Sequence, residues 1–244
     1  MHEIRAENEN YGYRPMTQAL KKQGIVINHK KVLKLMRSHK LLVTNFARKT
    51  RKYSSYKGTV GRISGNRVKR RFKTSVPHQK ITTDTTEFKY YENGKLCKAY
   101  LNPFLDMFNS EIISYTVSKR PTGEAVLSAL DTAVKVTNDC QFRRTFHSDQ
   151  GWAYQMINYR KTLKSKKIYQ SMSRKGNCLD NSIMENFFSI LKQEIYYGHQ
   201  FNSFEELEST IVEYITYYNT KRIKKKLNWN SPISYRLLKQ KLVA

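Results

Sequence analysis

"KITTDTTEFKYYENGKLCKAYLNPFLDMFNSEIISYTVS", residues 80–118, decides the fold. β-branched and aromatic residues gather there in runs of strand length, and Glu92, Asn93 and Gly94 supply a tight turn between the first two. Three strands in hairpin order are therefore expected, over 80–91, 95–108 and 111–118. Downstream the period changes. Residues 122–136, "TGEAVLSALDTAVKV", place Val126, Leu127, Leu130 and Val134 on one helical side, with Thr122 as the cap. A short strand, "FRRTFHSDQ" (142–150), a helix, "YQMINYRKTLKSKK" (154–167), and another strand, "IYQSMS" (168–173), follow. Antiparallel strands succeeded by strands that alternate with helices describe an α/β sheet with helices on its faces.

Upstream the chain is different in kind. Residues 1–78 hold 20 basic and 3 acidic residues, against 25 and 16 in the remainder, out of a formal charge of +26. Such an excess points to a polyanionic partner. In "YGYRPMTQALKKQGIVINHKKVLKLMRSHKLL" (11–42), Pro15 suits a first helical turn, Ala19 and Leu20 start an apolar face, and Gly24 breaks it. Asn28 then caps a second helix with Val32, Leu33, Leu35 and Met36 inside and His29, Lys30, Lys31, Lys34 and Arg37 outside. This reads as a helix-turn-helix module over 1–45 whose second helix, together with Arg14, is the candidate DNA reader. An ordinary helical hairpin with a solvated basic face has the same pattern. Residues 46–78 read as a basic linker along phosphate, with Tyr53, Tyr56 and Phe72 touching sugar or base, or as a tether without defined contacts. Residues 79–244 form the larger unit, which ends in a helix over 203–222 that opens with a Ser203 and Glu206 capping box. No run of about 18 apolar residues occurs, and the amino terminus lacks a signal-peptide plan, so a cytoplasmic protein with no membrane partner is expected. Cys97, Cys140 and Cys178 are widely spaced without zinc-ligand companions, and free thiols are expected.

Acids are scarce, so their positions are informative. Asp84 lies mid-strand in "ITTDTTEF" and Asp149 ends a strand in "FHSDQG". Glu185 falls in the first helical turn of "SRKGNCLDNSIMENFFSILKQEI" (173–195), where Ile183, Phe187, Ile190 and Leu191 share a face. Two strand-borne aspartates converge on a helix-borne glutamate if that helix crosses the sheet. Oxygen-only ligands of this kind suit Mg²⁺ or Mn²⁺, and two such ions clamp both oxygens of an in-line phosphoryl displacement. Each acid also has a structural reading. Glu185 completes a capping box with Ser182, Asp84 bonds the hydroxyls of Thr82 or Thr86, and Asp149 forms a turn with Gln150 and Gly151. His147 reads as a satisfied structural imidazole, and Asp180 and Asn181 as a loop brace and a cap.

Taken in order, "YGYRPMTQALKKQGIVINHKKVLKLM", "TTDTTEF", "FHSDQG", "QSMSRKGNCLDNSIMENFFSILKQE" and "YITYYNTKRIKKKLNWNSP" closely resemble the OrfB transposases of the IS-three family of bacterial insertion sequences. These are similar to retroviral integrases. The resemblance spans nearly the whole chain and implies an RNase H-like mixed sheet with flanking helices behind a small all-α helix-turn-helix module. It implies that Asp84, Asp149 and Glu185 are the catalytic, metal-binding triad, the last two standing 36 positions apart as the family spacing requires. It further implies two Mg²⁺ or Mn²⁺ ions, cleavage and strand transfer of DNA, recognition of terminal inverted repeats, a homo-multimer on DNA and a nucleoid-associated location in a bacterial cytoplasm. Arg174, Lys175 and Asn177 in the loop before Glu185, and Lys224 and Lys225 in the Lys221–Lys226 run, are expected DNA contacts. Where the family carries a histidine-containing segment, residues 223–232 read "IKKKLNWNSP". Family members carry further residues ahead of "YGYR", so a shortened frame or an upstream frame product as partner is expected. A catalytically silent copy that binds element ends and regulates transposition is the rival reading, and a nonspecific RNase H-type nuclease a third.

Overall fold

The computed structural model of the chain describes residues 1–44 and 61–241. Tyr53 and Tyr56, expected as linker contacts, lie outside the described residues. Three helices open the chain, α1 (His2–Glu7), α2 (Tyr13–Lys22) and α3 (His29–Ser38). Asn28 caps α3 as its sequence position suggests, its side chain accepting the Lys30 N–H at 2.8 Å. Met16 and Leu20 of α2 and Val32 and Met36 of α3 form a small core with Ile4, Tyr11 and Leu41. Ile223, from the far end of the chain, packs against it. The helical front is therefore seated on the rest of the molecule: the Tyr11 hydroxyl donates to the Lys221 carbonyl at 3.5 Å and Lys22 Nζ to that of Trp229 at 3.4 Å.

The strand-rich region folds into two sheets, since each expected strand is broken. β1 (Lys80–Thr83) and β2 (Thr86–Glu92) are separated at Asp84 and Thr85, and β3 (Lys95–Leu101) and β4 (Phe104–Asp106) at Asn102 and Pro103. β5 (Ile112–Ser114) and β6 (Val117–Ser118) part in the same way. The causes are local. An Asp84 carboxylate oxygen accepts the following Thr85 N–H at 2.8 Å, withdrawing that donor from the ladder, and Pro103 has no N–H to give. Asp84 thus occupies the break itself and is not mid-strand. With β7 (Thr145–Ser148) and β8 (Tyr169–Met172), the larger sheet has the order β5-β4-β1-β7-β8, antiparallel through β4 and β5 and parallel from β1 to β8. The smaller sheet is β2-β3-β6.

Each face of the larger sheet is covered. α4 (Gly123–Val136), α5 (Trp152–Gln155) and α6 (Ile157–Ser165) enclose Ile81, Phe104 and Phe146 with Leu130, Ala133, Tyr159 and Leu163. On the other side, α7 (Ser182–Leu191) and α8 (Phe204–Thr220) cover the smaller sheet and Leu105 with Met184, Phe187, Leu191, Ile211 and Tyr218. Each of the Leu, Ile, Phe and Met side chains among these stabilises by about 1.5–3 kcal/mol when fully buried. The buried face of α7 is offset from the expected one: Met184 and Phe188 are inside with Phe187 and Leu191, while Ile183 and Ile190 are half-buried. α8 begins with half of the expected capping box, Ser203 accepting the Glu206 N–H at 3.0 Å, while the Glu206 carboxylate accepts the Asn202 N–H at 2.8 Å in place of that of Ser203. Glu111 and Arg236 bind bidentately at 2.8 and 3.0 Å to hold α9 (Pro232–Lys241).

The described half of the expected linker packs on this core. Residues 61–72 form a strap along β8: Ser171 Oγ accepts the Arg67 and Val68 N–H groups at 2.9 and 3.3 Å, and Val68 is buried. Phe72 is half-buried. The strap turns at Arg70, whose guanidinium reaches Asp180 at 2.9 Å.

Candidate active site

β1 and β7 are parallel neighbours paired at Thr82 and His147, so Asp84 and Asp149 each stand two residues beyond that pair, at the same edge of the sheet. The loop into α7 is fastened to these two strands. Asn181 Oδ1 accepts the Thr82 hydroxyl at 2.6 Å, and its amide donates to the Thr83 carbonyl at 3.3 Å. His147 Nε2–H donates to the Asp180 carbonyl at 2.9 Å while the Ser171 hydroxyl donates to Nδ1 at 2.9 Å. Burial pushes this imidazole below its ordinary pKa, which keeps it neutral and makes it the structural residue its position suggests. Glu185 then lies in the first turn of a helix held against the end of β1. No capping box forms. Ser182 is inside the helix, and Asn181, at the cap position, spends its side chain on β1. Asp180 is the loop brace: its buried carboxylate accepts from Asn66, Arg70 and Arg174, and Arg174 first of all holds it well below the usual carboxylate range.

Asp84 is half-buried and its carboxyl is pushed well above the ordinary range, by desolvation first, then by Asp149, with Glu185 adding a smaller push and Lys192 opposing. Desolvation raises Asp149 and Glu185 as well. One oxygen of Asp149 accepts the Gly151 N–H at 2.8 Å, and a Cβ at Gly151 would stand 2.9 Å from that oxygen, so a larger residue there shifts the carboxylate. The second oxygens of both aspartates, and the whole Glu185 carboxylate, accept nothing among the described residues. A cleft of about 150 Å³ opens here, lined by Asp84, Thr85, Asn102, Asp149, Trp152 and Tyr154. The Tyr154 hydroxyl stands 3.3 Å from Thr85 Oγ1 and is raised well above its usual pKa by burial and then by the two aspartates. Free oxygen donors carrying unbalanced negative charge are the chemistry a hard divalent cation takes. Among the described residues no three acids or histidines are drawn tightly enough together to enclose one ion. Sequence reasoning missed Tyr154 and Lys192. The latter is seven residues after Glu185, two helical turns on the same face, a spacing that could have flagged it.

The family model described as Integrase core domain matches residues 75–178, a second of the same description matches 185–242, and one described as HTH-like domain matches 1–50. An uncharacterized transposase-like protein of Haemophilus influenzae is 49% identical over 88% of this chain and 95% of its own. The transposase for insertion sequence element IS904 of Lactococcus lactis is 33% identical over 91% and 85%. Transposase InsF for insertion sequence IS3A of Escherichia coli is 31% identical over 85% and 69%. The chain belongs to the IS-three family of insertion-sequence transposases. Its core, matched by the integrase-core models, is the expected mixed α/β sheet with flanking helices, and its front is helical and HTH-like. Among solved structures, the HTLV-2 integrase catalytic core in complex with magnesium aligns with a TM-score of 0.48 at 17% identity, over 64% of this chain and 94% of that one.

In this transposase the expected DNA contacts fall into two groups. His29, Lys30, Lys31, Lys34 and Arg37 are all exposed on α3, and Arg14 is exposed on α2 above the Tyr13 ring at 4.7 Å. Lys175 and Lys225 are exposed too. Arg174 is committed to Asp180, and Asn177 accepts from Arg70 Nη2 at 2.9 Å, so both are held within the loop. Lys224 departs from expectation. Its ammonium turns inward onto Tyr218, 4.3 Å from the ring centre, and desolvation, then Arg222 and Lys226, lower its pKa well below the ordinary value. Cys97 and Cys140 are free thiols. No described helix is long and apolar enough to cross a membrane.

Proposed function

We propose that the chain catalyses metal-dependent cleavage and strand transfer of the ends of an insertion sequence, with Asp84, Asp149 and Glu185 as the metal ligands. The observation that supports this best is the electrostatic convergence on Asp84: two other carboxylates, from a different strand and from a helix, both raise its pKa. A purely structural acid is placed to accept hydrogen bonds, as Asp180 is; these three keep oxygens free. When bound, divalent cations supply Lewis-acid activation of the attacking oxygen and charge to stabilise the leaving one. The chain's part is to hold the carboxylates on three separate elements and to bring a phosphodiester to the cleft. Lys192, the cation acting on Asp84, is suited to a phosphate close to the carboxylates. Its Nζ donates to the Glu87 carbonyl at 2.7 Å and lies 4.9 Å from the Phe88 ring centre, so its position is set by the core.

Sequence recognition is assigned to α3, which presents His29, Lys30, Lys31, Lys34 and Arg37 to the major groove of the terminal repeats, with Arg14 and Lys175 on phosphate. Two copies are needed to pair two ends, so a homo-multimer on DNA is part of the reading, with an upstream frame product as a further partner. The test is a strand-transfer assay on an element-end duplex with Mg²⁺ or Mn²⁺, using wild type and Glu185→Gln, with gel shift in the same tubes. Joining by the wild type alone, with equal binding, supports the proposal. Equal binding with joining in neither supports the silent regulator.

A further inference from the structure

On the outer side of β8 lies a groove of about 550 Å³ between the strap and α6. The strap supplies Arg62 and Arg67, and α6 supplies Arg160, Lys161 and Lys164. Arg143 and Lys167 complete its floor, and no Asp or Glu among the described residues lines it. Tyr169, the first residue of β8, is clamped between two guanidiniums, Arg67 at 4.3 Å and Arg143 at 3.6 Å from the ring centre. Arg143 is fixed further by donating from Nε to the Lys167 carbonyl at 3.1 Å and from Nη1 to the Tyr169 hydroxyl at 2.8 Å. The side chains of Arg62, Arg160, Lys161 and Lys164 have no carboxylate partner among the described residues.

Cations gathered without counter-charge repel one another, and on α6 they stand at helical spacings that put Lys161 and Lys164 side by side. The strap adds to the crowding by bringing Arg62 and Arg67 to them, and it is held there by built contacts. The Gly61 N–H donates to Gln155 Oε1 at 3.2 Å, the Ser64 hydroxyl to Gln170 Oε1 at 3.0 Å, and the Gly61 Cα faces the Gln155 carbonyl so closely that a Cβ has no room. Folding therefore assembles positive charge where a soluble core alone gains nothing from it. β8 runs from this groove to Met172, which pairs with Ser148 beside Asp149. Four strand residues at about 3.3 Å each separate groove from cleft.

We infer that this groove binds the sugar-phosphate backbone of a second, sequence-neutral duplex, the target into which an element end is joined. Here the Arg and Lys side chains line an open groove beside an edge strand, not one face of a helix that could enter a DNA groove, which suits them to phosphate, and the Gln170 amide beside them is spent on Ser64 and the Tyr154 carbonyl. The elements that form the groove are distinct from α3, so an end held by the helical front and a duplex held here are bound at once. The inference rests on the DNA-binding part of the proposed function and is independent of its chemistry.

The test is the affinity of the full chain for a duplex of scrambled sequence over a range of salt. Lys161→Glu with Lys164→Glu is compared with Lys89→Glu plus Lys95→Glu, an equal charge change at exposed positions of the β2–β3 hairpin. The groove variant is expected to lose about 10-fold or more in affinity, with a salt dependence shallower by about 0.9 for each phosphate no longer neutralised. The hairpin variant is expected to stay close to wild type. Equal losses in both, or no loss in the groove variant, overturn the inference. Lys161→Gln with Lys164→Gln, verified as folded by circular dichroism, gives a milder change that must move the same way. Because binding is the readout, a chain that joins no DNA still answers the question.

Discussion

Asp84 shares a desolvated corner with Asp149 and Glu185, so its ionised form is strained in the metal-free protein. The folded-state pKa values of all three carboxyls are raised above their unfolded values, so the folded state holds their protons more tightly. Their contribution to stability without metal is then fully present below the unfolded carboxylate range of about 4 and is lost as pH rises through the raised values. Buried Asp106, pushed up to about 6, acts in the same direction. Thermal denaturation in a chelator from pH 5 upward is expected to show this decline, and Mg²⁺ to reverse it above neutrality. Asp84→Asn removes the strain and is expected to raise the metal-free Tm at pH 7.5 by a few degrees, at about 2–4 °C per kcal/mol. A lowered Tm contradicts the account. Asp180 has the opposite sign, its depressed pKa giving stability that is lost as pH falls through the acid range, so Asp180→Asn weakens the fold at neutral pH. Asp84, Asp149 and Glu185 stand out in the sequence because acids are few. Their mutual influence depends on strand pairing and helix docking, which no local pattern encodes.

At the level of elements, α7 is placed by one side chain. Asn181 joins it to both Thr82 and Thr83, and Asn181→Ala is expected to destabilise by about 1–3 kcal/mol in chemical denaturation, since it leaves the buried Thr82 hydroxyl without this partner. The same variant should lose DNA cleavage out of proportion to its loss of fold. Local capping was legible beforehand at Asn28, Thr122 and Ser203, because each cap closes within three residues. The break at Asp84 and the offset face of α7 were not. The first comes from a side chain competing with the ladder, and the second from the docking of α7 against the smaller sheet and α8, which buries Met184, Phe187, Phe188 and Leu191. The π-helical turn that follows, Lys192–Tyr196, carries Glu194 inward to Arg222 and Tyr214. Glu194→Ala leaves the Arg222 charge half-buried without its partner and is expected to cost about 3–5 kcal/mol.

For the whole molecule, the basic composition points to a polyanionic partner, and charge divides the chain into a strongly basic front of 78 residues and a more balanced remainder. What the composition hid is that the front is seated on the core through Ile223 and Tyr11, and that residues 61–72 are part of the core's surface. Both arrangements join residues more than 100 positions apart, beyond the reach of any local pattern. Ile223→Asp places a charge against the apolar front and is expected to free it, seen as rapid proteolysis between the two units with the core melting nearly unchanged. The central claim concerns the three carboxylates acting together. The most direct measurement is single-turnover cleavage of an element-end duplex over a Mn²⁺ titration by wild type, Asp84→Asn, Asp149→Asn and Glu185→Gln. All three variants are expected to lose at least about 10³-fold in rate while binding the duplex as the wild type does, because under the proposal each removes a ligand to the cations that would activate and stabilise the reacting oxygens. A variant that cleaves within about 10-fold of wild type at saturating Mn²⁺, a gap of only about 1.4 kcal/mol in barrier, contradicts it.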